Sequence, residues 1–431
     1  MKRKNRVAGV LALVAGTALL ATGCSSSGDS NSSDGKVSMT FWHNSTTGPG
    51  AAFWKTTVAD FEKANPNVTI KIQAIQNEDL DGKLQTALNS GDAPDIFLQR
   101  GGGKMAAMAD AGQLLDITDS ISSATKKVVS EGAIKGVSYN GKAYAMPIDV
   151  LPEGIYYSQD LFKAAGITTP PKTMDELNEA ITKLKATGVA PVAVGAKDAW
   201  PAAHWYYNFA LRECSEDTIN KSAKDLKFDN DCWTKAGEDL AKFNDTKPFN
   251  DGFLTTAAQQ GAGSSAGLVA NHKAAMELMG AWDPGVIASL TPDQKPLPDL
   301  GWFPFPTISG GDGDPASMMG GIDSFSCSAK APKKQCTDFL NYITTKDVQE
   351  AYYKAFNAIP VNKDAQSIIT EPYLLSVLEA YNKAPFVSQY LDTLLGQNVG
   401  NAMNTGVVDL LAGKGDAQGI IKAVNEAAAK G

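Results

Sequence analysis

The sequence predicts an α/β protein built as two lobes. Three observations carry that expectation. The chain has 431 residues, more than one ordinary domain holds. Its 43% apolar and 20% charged content supplies a large core and excludes wholesale disorder. Strand and helix signals also alternate along it, in a grammar that opens at residue 37 and restarts after residue 150.

Val37, Met39 and Phe41 alternate with Ser38 and Thr40, the period of a half-buried strand. From 54 to 64, Trp54, Val58, Phe61 and Ala64 share one helical face, and Asn65-Pro66 stops the helix. Val68, Ile70 and Ile72 repeat the strand period. A helix over 79–88 follows and ends at Ser90-Gly91. Residues 94–98 read as a short buried strand running into the loop 99–104. This β-α-β-α-β order predicts a mainly parallel sheet.

In the second stretch, Thr173 and Glu176 are spaced as a capping box. The helix behind them ends near Gly188, and 191–195 reads as a strand. Residues 250–320 are rich in Gly and Pro, which fits loops and chain crossings. Cys336, Phe339, Leu340 and Ile343 fall at i, i+3, i+4 and i+7 of an amphipathic helix. Residues 364–431 are mostly helical, with breaks at Pro372, Pro385 and Gly413.

The N-terminus is a targeting segment. Lys2, Arg3, Lys4 and Arg6 lead into the apolar run 7–20, too short and too rich in Gly and Ala for a permanent span. The run ends in Ala21-Thr22-Gly23-Cys24. Small residues before a cysteine look like a bacterial lipoprotein signal over 1–23, with Cys24 lipidated. Ala21 stands where such signals usually carry Leu. The competing reading is an ordinary secretory signal with an incidental cysteine. Residues 24–36, mostly Ser, Gly and Asp, form a flexible tether.

The net charge is −8, and 39 basic residues fall to 35 once the four at the start are set aside, against 47 acids. A body this acidic is repelled by nucleic acid and by anionic lipid, so both are excluded as partners. The remaining cysteines, Cys214, Cys232, Cys327 and Cys336, allow three pairings in an exported protein. Pairing of sequence neighbours, Cys214 with Cys232 and Cys327 with Cys336, is the simplest. No C-x-x-C spacing points to zinc or redox chemistry.

Catalytic signatures are missing. There are three histidines and no G-x-S-x-G, H-E-x-x-H or Lys-bearing phosphate loop. Gly101-Gly102-Gly103-Lys104 reads as a tight strand-to-helix turn ahead of an anion cradle. Carboxylates such as Asp149 and Asp323 serve glycoside hydrolysis only at a defined separation, which a sequence does not give. The tryptophans say more. Trp54, Trp233 and Trp302 fit a core, and Trp42 fits core and site equally. At least one of Trp200 and Trp205 is expected in the site. Trp282 sits in Trp-Asp-Pro-Gly after an apolar run, and its place in the site rests also on the resemblance given below. Flat rings beside acids and amides suit a sugar, whose C–H face packs on the ring while its hydroxyls bond the polar rim.

Several motifs in order carry a family resemblance: Phe41-Trp42-His43, the stretch 61–68 (FEKANPNV), Gly91-Asp92-Ala93-Pro94-Asp95-Ile96, Tyr144-Ala145-Met146-Pro147 with Tyr156-Tyr157, the stretch 275–282 (AMELMGAW), Gly320-Gly321-Ile322-Asp323-Ser324 and Ala358-Ile359-Pro360-Val361. From about Val37 onward the chain resembles solute-binding lipoproteins of carbohydrate ABC importers, of the maltose-binding-protein type. Gln76-Asn77-Glu78-Asp79 and the stretch 99–104 (QRGGGK) resemble, more narrowly, actinobacterial binding proteins for xylobiose and related β-linked oligosaccharides.

The resemblance implies a two-lobed periplasmic-binding-protein-like fold with a hinge and an interlobe ligand cleft. It implies lobes at 37–149 plus 307–363 and at 150–306 plus 364–431. The implied partners are a short oligosaccharide and the permease subunits of the importer. The implied protein is a monomer held by its lipid on the outer face of the cytoplasmic membrane, with no metal, cofactor or catalytic step. By position, the implied contacts are Trp42, His43, Asn44, Glu78, Asp79, Gln99, Arg100, Lys104, Asp149, Trp200, Trp205, Trp282 and Asp323. Gln99 stands where maltose-type members carry an Asp. Two rival readings stay open: a tethered glycosidase, and a binding protein of the same fold for a non-sugar solute.

Overall fold

A computed structural model describes residues 35–430. The signal segment, Cys24 and most of the tether lie outside those residues. Two sheets organise the body. The strands in chain order are β1 (Val37–His43), β2 (Val68–Ala74), β3 (Ile96–Gln99), β4 (Ser138–Tyr139), β5 (Lys142–Ala143), β6 (Met146–Pro147), β7 (Asp149–Ser158), β8 (Ala190–Ala193), β9 (Ala274–Gly280), β10 (Leu300–Phe303), β11 (Met318–Gly321), β12 (Ser324–Cys327), β13 (Ile359–Pro360) and β14 (Val387–Gln389).

The first sheet has the order β2-β1-β3-β12-β6. β1 runs parallel to β2 and β3, as the β-α-β-α-β order predicts, and β12 alone runs antiparallel, paired with β3 on one side and β6 on the other. Helices α1 (Gly48–Ala64), α2 (Asn77–Ser90) and α3 (Gly102–Asp110) supply the crossovers. Asn65 caps α1 and the left-handed Gly91 (φ 83°) ends α2. Phe41, Trp54, Phe61, Phe325 and Phe339 meet edge to face in this lobe's core.

The second sheet has the order β14-β11-β7-β9-β8, with β10 and β13 also on β7. It is mixed. β8 and β9 are parallel, as are β11 and β14, but every partner of the ten-residue β7 is antiparallel to it. β7 enters straight from the first lobe with no crossover helix, so it runs against strands that arrive from the far end. The Thr173 capping box forms as spaced, and Cys214–Cys232 and Cys327–Cys336 are the disulfides.

Sheet membership moves one expected boundary. β11 at 318–321 lies beside β7, with Gly320 opposite Pro152, so the chain stays with the second sheet beyond 307. It crosses back at 322–323, between β11 and β12, because a strand paired on both sides cannot leave its sheet. Three crossings therefore lie side by side. Ile148 N–H donates to the Asp323 carbonyl (2.8 Å) and Val361 N–H to the Ile148 carbonyl (3.1 Å). No helix among the described residues is long and apolar enough to cross a membrane.

Candidate functional site

A cavity of about 1090 Å³ lies between the two sheets. Its walls are the carboxyl ends of strands from both. Asn44 follows β1, Asn77 follows β2 and Arg100 follows β3. Opposite them, Trp200 follows β8 and Trp282 follows β9, while Asp323 lies at the crossing between β11 and β12. Parallel strands that end together leave a crevice at that edge, where loops hold side chains over it.

The first lobe contributes a charged floor. Arg100 Nη2 donates to Asn77 Oδ1 (2.7 Å), its Nε pairs with Asp323 (3.2 Å), and Nη1 faces Asp81 at 3.7 Å. Lys104 Nζ meets Asp81 Oδ2 at 2.8 Å. Burial works against ionisation of Asp81, but Lys104 and Arg100 outweigh it and hold the carboxyl below its usual range. Burial likewise opposes the Arg100 charge, and Asp323, Asp81 and Asp392 outweigh it. Asp149 is 1% exposed. Burial, then the neighbouring Asp323, push its carboxyl well up. Its Oδ1 accepts from the Asp323 amide (2.9 Å) and its Oδ2 from the Tyr352 hydroxyl.

The second lobe contributes an aromatic wall. Trp200 and Trp282 have ring centres 6.1 Å apart. His204 stacks on Tyr390 at 4.5 Å and 8°, and Trp282 meets Tyr390 edge-on at 5.7 Å. The His204 Nδ1 is held by the buried Glu153 carboxylate, whose other oxygen accepts from Asn208. Rings anchored this way form a rigid apolar plate facing a floor of fixed charges.

The cleft brings together Asn44, Glu78, Arg100, Lys104, Asp149, Trp200, Trp282 and Asp323 of the expected residues. Five others do not line it. His43 continues the buried Met39 and Phe41 face of β1, is 1% exposed, and stacks on Trp54. Burial lowers its pKa to about 4, so the ring is neutral. Trp42 points to the opposite face of the sheet and packs against the cluster holding Leu84 and Phe97. Asp79 is exposed and pairs with Lys83 at 3.2 Å. The Gln99 amide folds back under its own turn, accepting from the Arg100 and Gly101 N–H groups (2.8 and 3.2 Å). Trp205 is fully buried against Phe243, Phe249 and Phe305. It lies five residues after Trp200 on one helix, about 140° around the axis, while His204 at i+4 shares the Trp200 face.

Sequence reasoning missed Asn77, Asp81, His204, Tyr390 and Asp392. The i,i+4 spacings Asn77–Asp81 and Trp200–His204 carried a usable signal. Nothing in the helical stretch after 364 marked Tyr390 or Asp392. The glycine turn is a turn, as read, with an added role. A Cβ at Gly102 would lie 2.5 Å from the Thr393 carbonyl and one at Gly103 2.7 Å from that of Leu394. The glycines let α3 touch the segment after β14. Gln389 closes the same contact by donating to the Arg100 and Gly136 carbonyls (3.1 and 3.2 Å).

Comparison with known proteins agrees with this architecture. Residues 43–350 match a family model described as bacterial extracellular solute-binding protein. The multiple sugar-binding protein of Streptococcus mutans is 27% identical over 352 residues, 80% of each chain. The melibiose/raffinose/stachyose-binding protein of Bacillus subtilis is 24% identical over 338 residues, 75% of this chain and 74% of that one. A solved structure from work on xylan utilization by Caldanaerobius polysaccharolyticus superposes with a TM-score of 0.83 at 26% identity, covering 90% of this chain and 99% of the other.

Proposed function

Because the chain belongs to the bacterial extracellular solute-binding proteins, we propose that it captures a short oligosaccharide between its lobes and delivers it to the permease of an ABC importer. The observation that carries this reading is the pairing of an aromatic plate with a polar floor across one cleft. Trp200 and Trp282 offer π-faces to the C–H face of a sugar ring. Arg100, Lys104 and Asp81 offer charge-assisted hydrogen bonds to its hydroxyls, and Asn77 a neutral amide. The names of the two curated relatives support a sugar ligand. The xylan-utilization neighbour supports xylobiose or a related β-linked xylo-oligosaccharide.

The same reading makes the protein a monomeric lipoprotein, tethered through Cys24 on the outer face of the cytoplasmic membrane. Its lobes divide near 148, 322 and 358–361, where the chain crosses between sheets. It converts nothing. What supports this is that Asp149 accepts from the Asp323 amide and the Tyr352 hydroxyl and Asp323 pairs with Arg100, contacts that suit structural support of the cleft.

A thermal-shift panel tests the reading: xylobiose, longer xylo-oligosaccharides, cellobiose, maltose, monosaccharides and a peptide mix. A ligand that binds only the folded protein raises the melting temperature in proportion to RT ln(1 + [L]/Kd). A sugar-specific shift is expected. A shift by peptides alone, or release of reducing sugar from any oligosaccharide, overturns it.

A further inference from the structure

Trp282 does not reach the cleft on a free loop. It follows β9 by two residues and opens the helix Asp283–Leu290, so its backbone is fixed at both ends. Its ring turns back along the strand it came from. The indole lies over Gly280, where a Cβ would overlap the Trp282 six-membered ring and sit 2.6 Å from Cε3. The same Cβ would overlap the Tyr390 hydroxyl, which donates to the Leu151 carbonyl (3.0 Å) and so ties the plate to β7. Gly280 has no positive φ, so its backbone does not require glycine. What requires glycine there is the space.

We propose that Gly280 is a positioning residue of the cleft: the volume left by its missing side chain is the slot in which the Trp282 indole and the Tyr390 hydroxyl seat, and this seating sets the ring face offered to the ligand. The proposal rests on the sugar-binding reading above and names what determines ring geometry in that site. Gly280 touches no ligand. It acts through Trp282, whose indole N–H meets no protein acceptor, so ring packing alone sets its orientation. An alanine at 280 forces the indole or the Tyr390 ring to move, since the backbone at Gly280 is paired with Glu153 of β7 and leads directly into the helix Asp283–Leu290.

The test is a double-mutant cycle on sugar affinity with wild type, Gly280→Ala, Trp282→Ala and the double variant, read by calorimetric titration with whichever sugar shifts the melt. Near-UV circular dichroism of the unliganded proteins reports ring packing. Gly280→Ala is expected to raise Kd about tenfold or more, the scale of one aromatic stacking contact. In the Trp282→Ala background the same change should cost almost nothing. Gly280→Ala combined with Tyr390→Phe removes one of the two overlaps and should recover part of the affinity. It also serves as the variant to measure if Gly280→Ala does not fold. Equal losses from Gly280→Ala with and without Trp282, or no recovery with Tyr390→Phe, overturn the proposal. A Trp282→Ala protein that binds sugar as wild type does overturns the stacking reading itself, which separates the two failures.

Discussion

Replacing Asp283 with Asn should make the protein increasingly more stable than wild type as pH rises from about 4 to about 8 and leave it nearly unchanged below about pH 4. Asp283 is fully buried at the start of the helix behind Trp282, and neither of its oxygens meets a protein donor. Glu277, on β9 just before it, is equally unpartnered, 1% exposed and opposite Tyr156 across the β7–β9 pair. The nearby Ser265 hydroxyl is spent on the Ala258 carbonyl. Burial pushes Asp283 up to about 8, and burial with the Asp283 charge pushes Glu277 well up. In the unfolded chain Asp283 titrates near its ordinary value of about 4. Between those two values the folded state holds a proton that the unfolded state has released. The stabilisation is therefore complete below about pH 4 and is lost as pH rises through about 8. A gap of that size corresponds to something on the order of 5 kcal/mol, at about 1.4 kcal/mol per pH unit. Asparagine keeps the shape and stays neutral, so its curve lacks this slope. The assay is the unfolding free energy of both proteins in urea at pH 5, 6, 7 and 8. The difference should grow with pH in favour of the variant. Parallel curves would refute the reasoning and place the acids in contact with donors that keep them charged.

Three further outcomes follow from the same structure. Trp205→Ala should destabilise the protein by about 3–5 kcal/mol in urea melts, as a fully buried ring is lost, while the folded fraction keeps its sugar affinity. Arg100→Lys should weaken sugar binding by about tenfold in titrations, since an ammonium cannot hold Asn77, Asp323 and Asp81 at once. Opening Cys214–Cys232 by a double Ala substitution should cost about 3 kcal/mol, the chain-entropy value for a loop closed over 18 residues, without changing affinity.

Much of the first lobe was legible because period and punctuation agree there. Val37, Met39 and Phe41 alternate, Asn65-Pro66 stops a helix, and the crossovers force β1 to β3 parallel. The mixed second sheet was not, because the direction of β7 is set by where the chain enters the lobe, which no local pattern encodes. The same division runs through the site. Trp282 stood out, but His43 was expected only by position in the family and Trp205 only as one of a pair with Trp200, although strand and helix periods already send both inward. Extending the β1 alternation by one step would have placed His43 in the core. Tyr390 and Asp392 come from a segment more than a hundred residues beyond Trp282, and only the tertiary fold brings them to it.

The most direct test of the central claim is calorimetric titration of residues 25–431 with xylobiose and longer xylo-oligosaccharides, alongside Trp282→Ala. Saturable one-site binding that Trp282→Ala abolishes or weakens by at least about tenfold is the predicted result. Full-strength binding by Trp282→Ala, or no heat from any sugar, would contradict a sugar held on this aromatic wall.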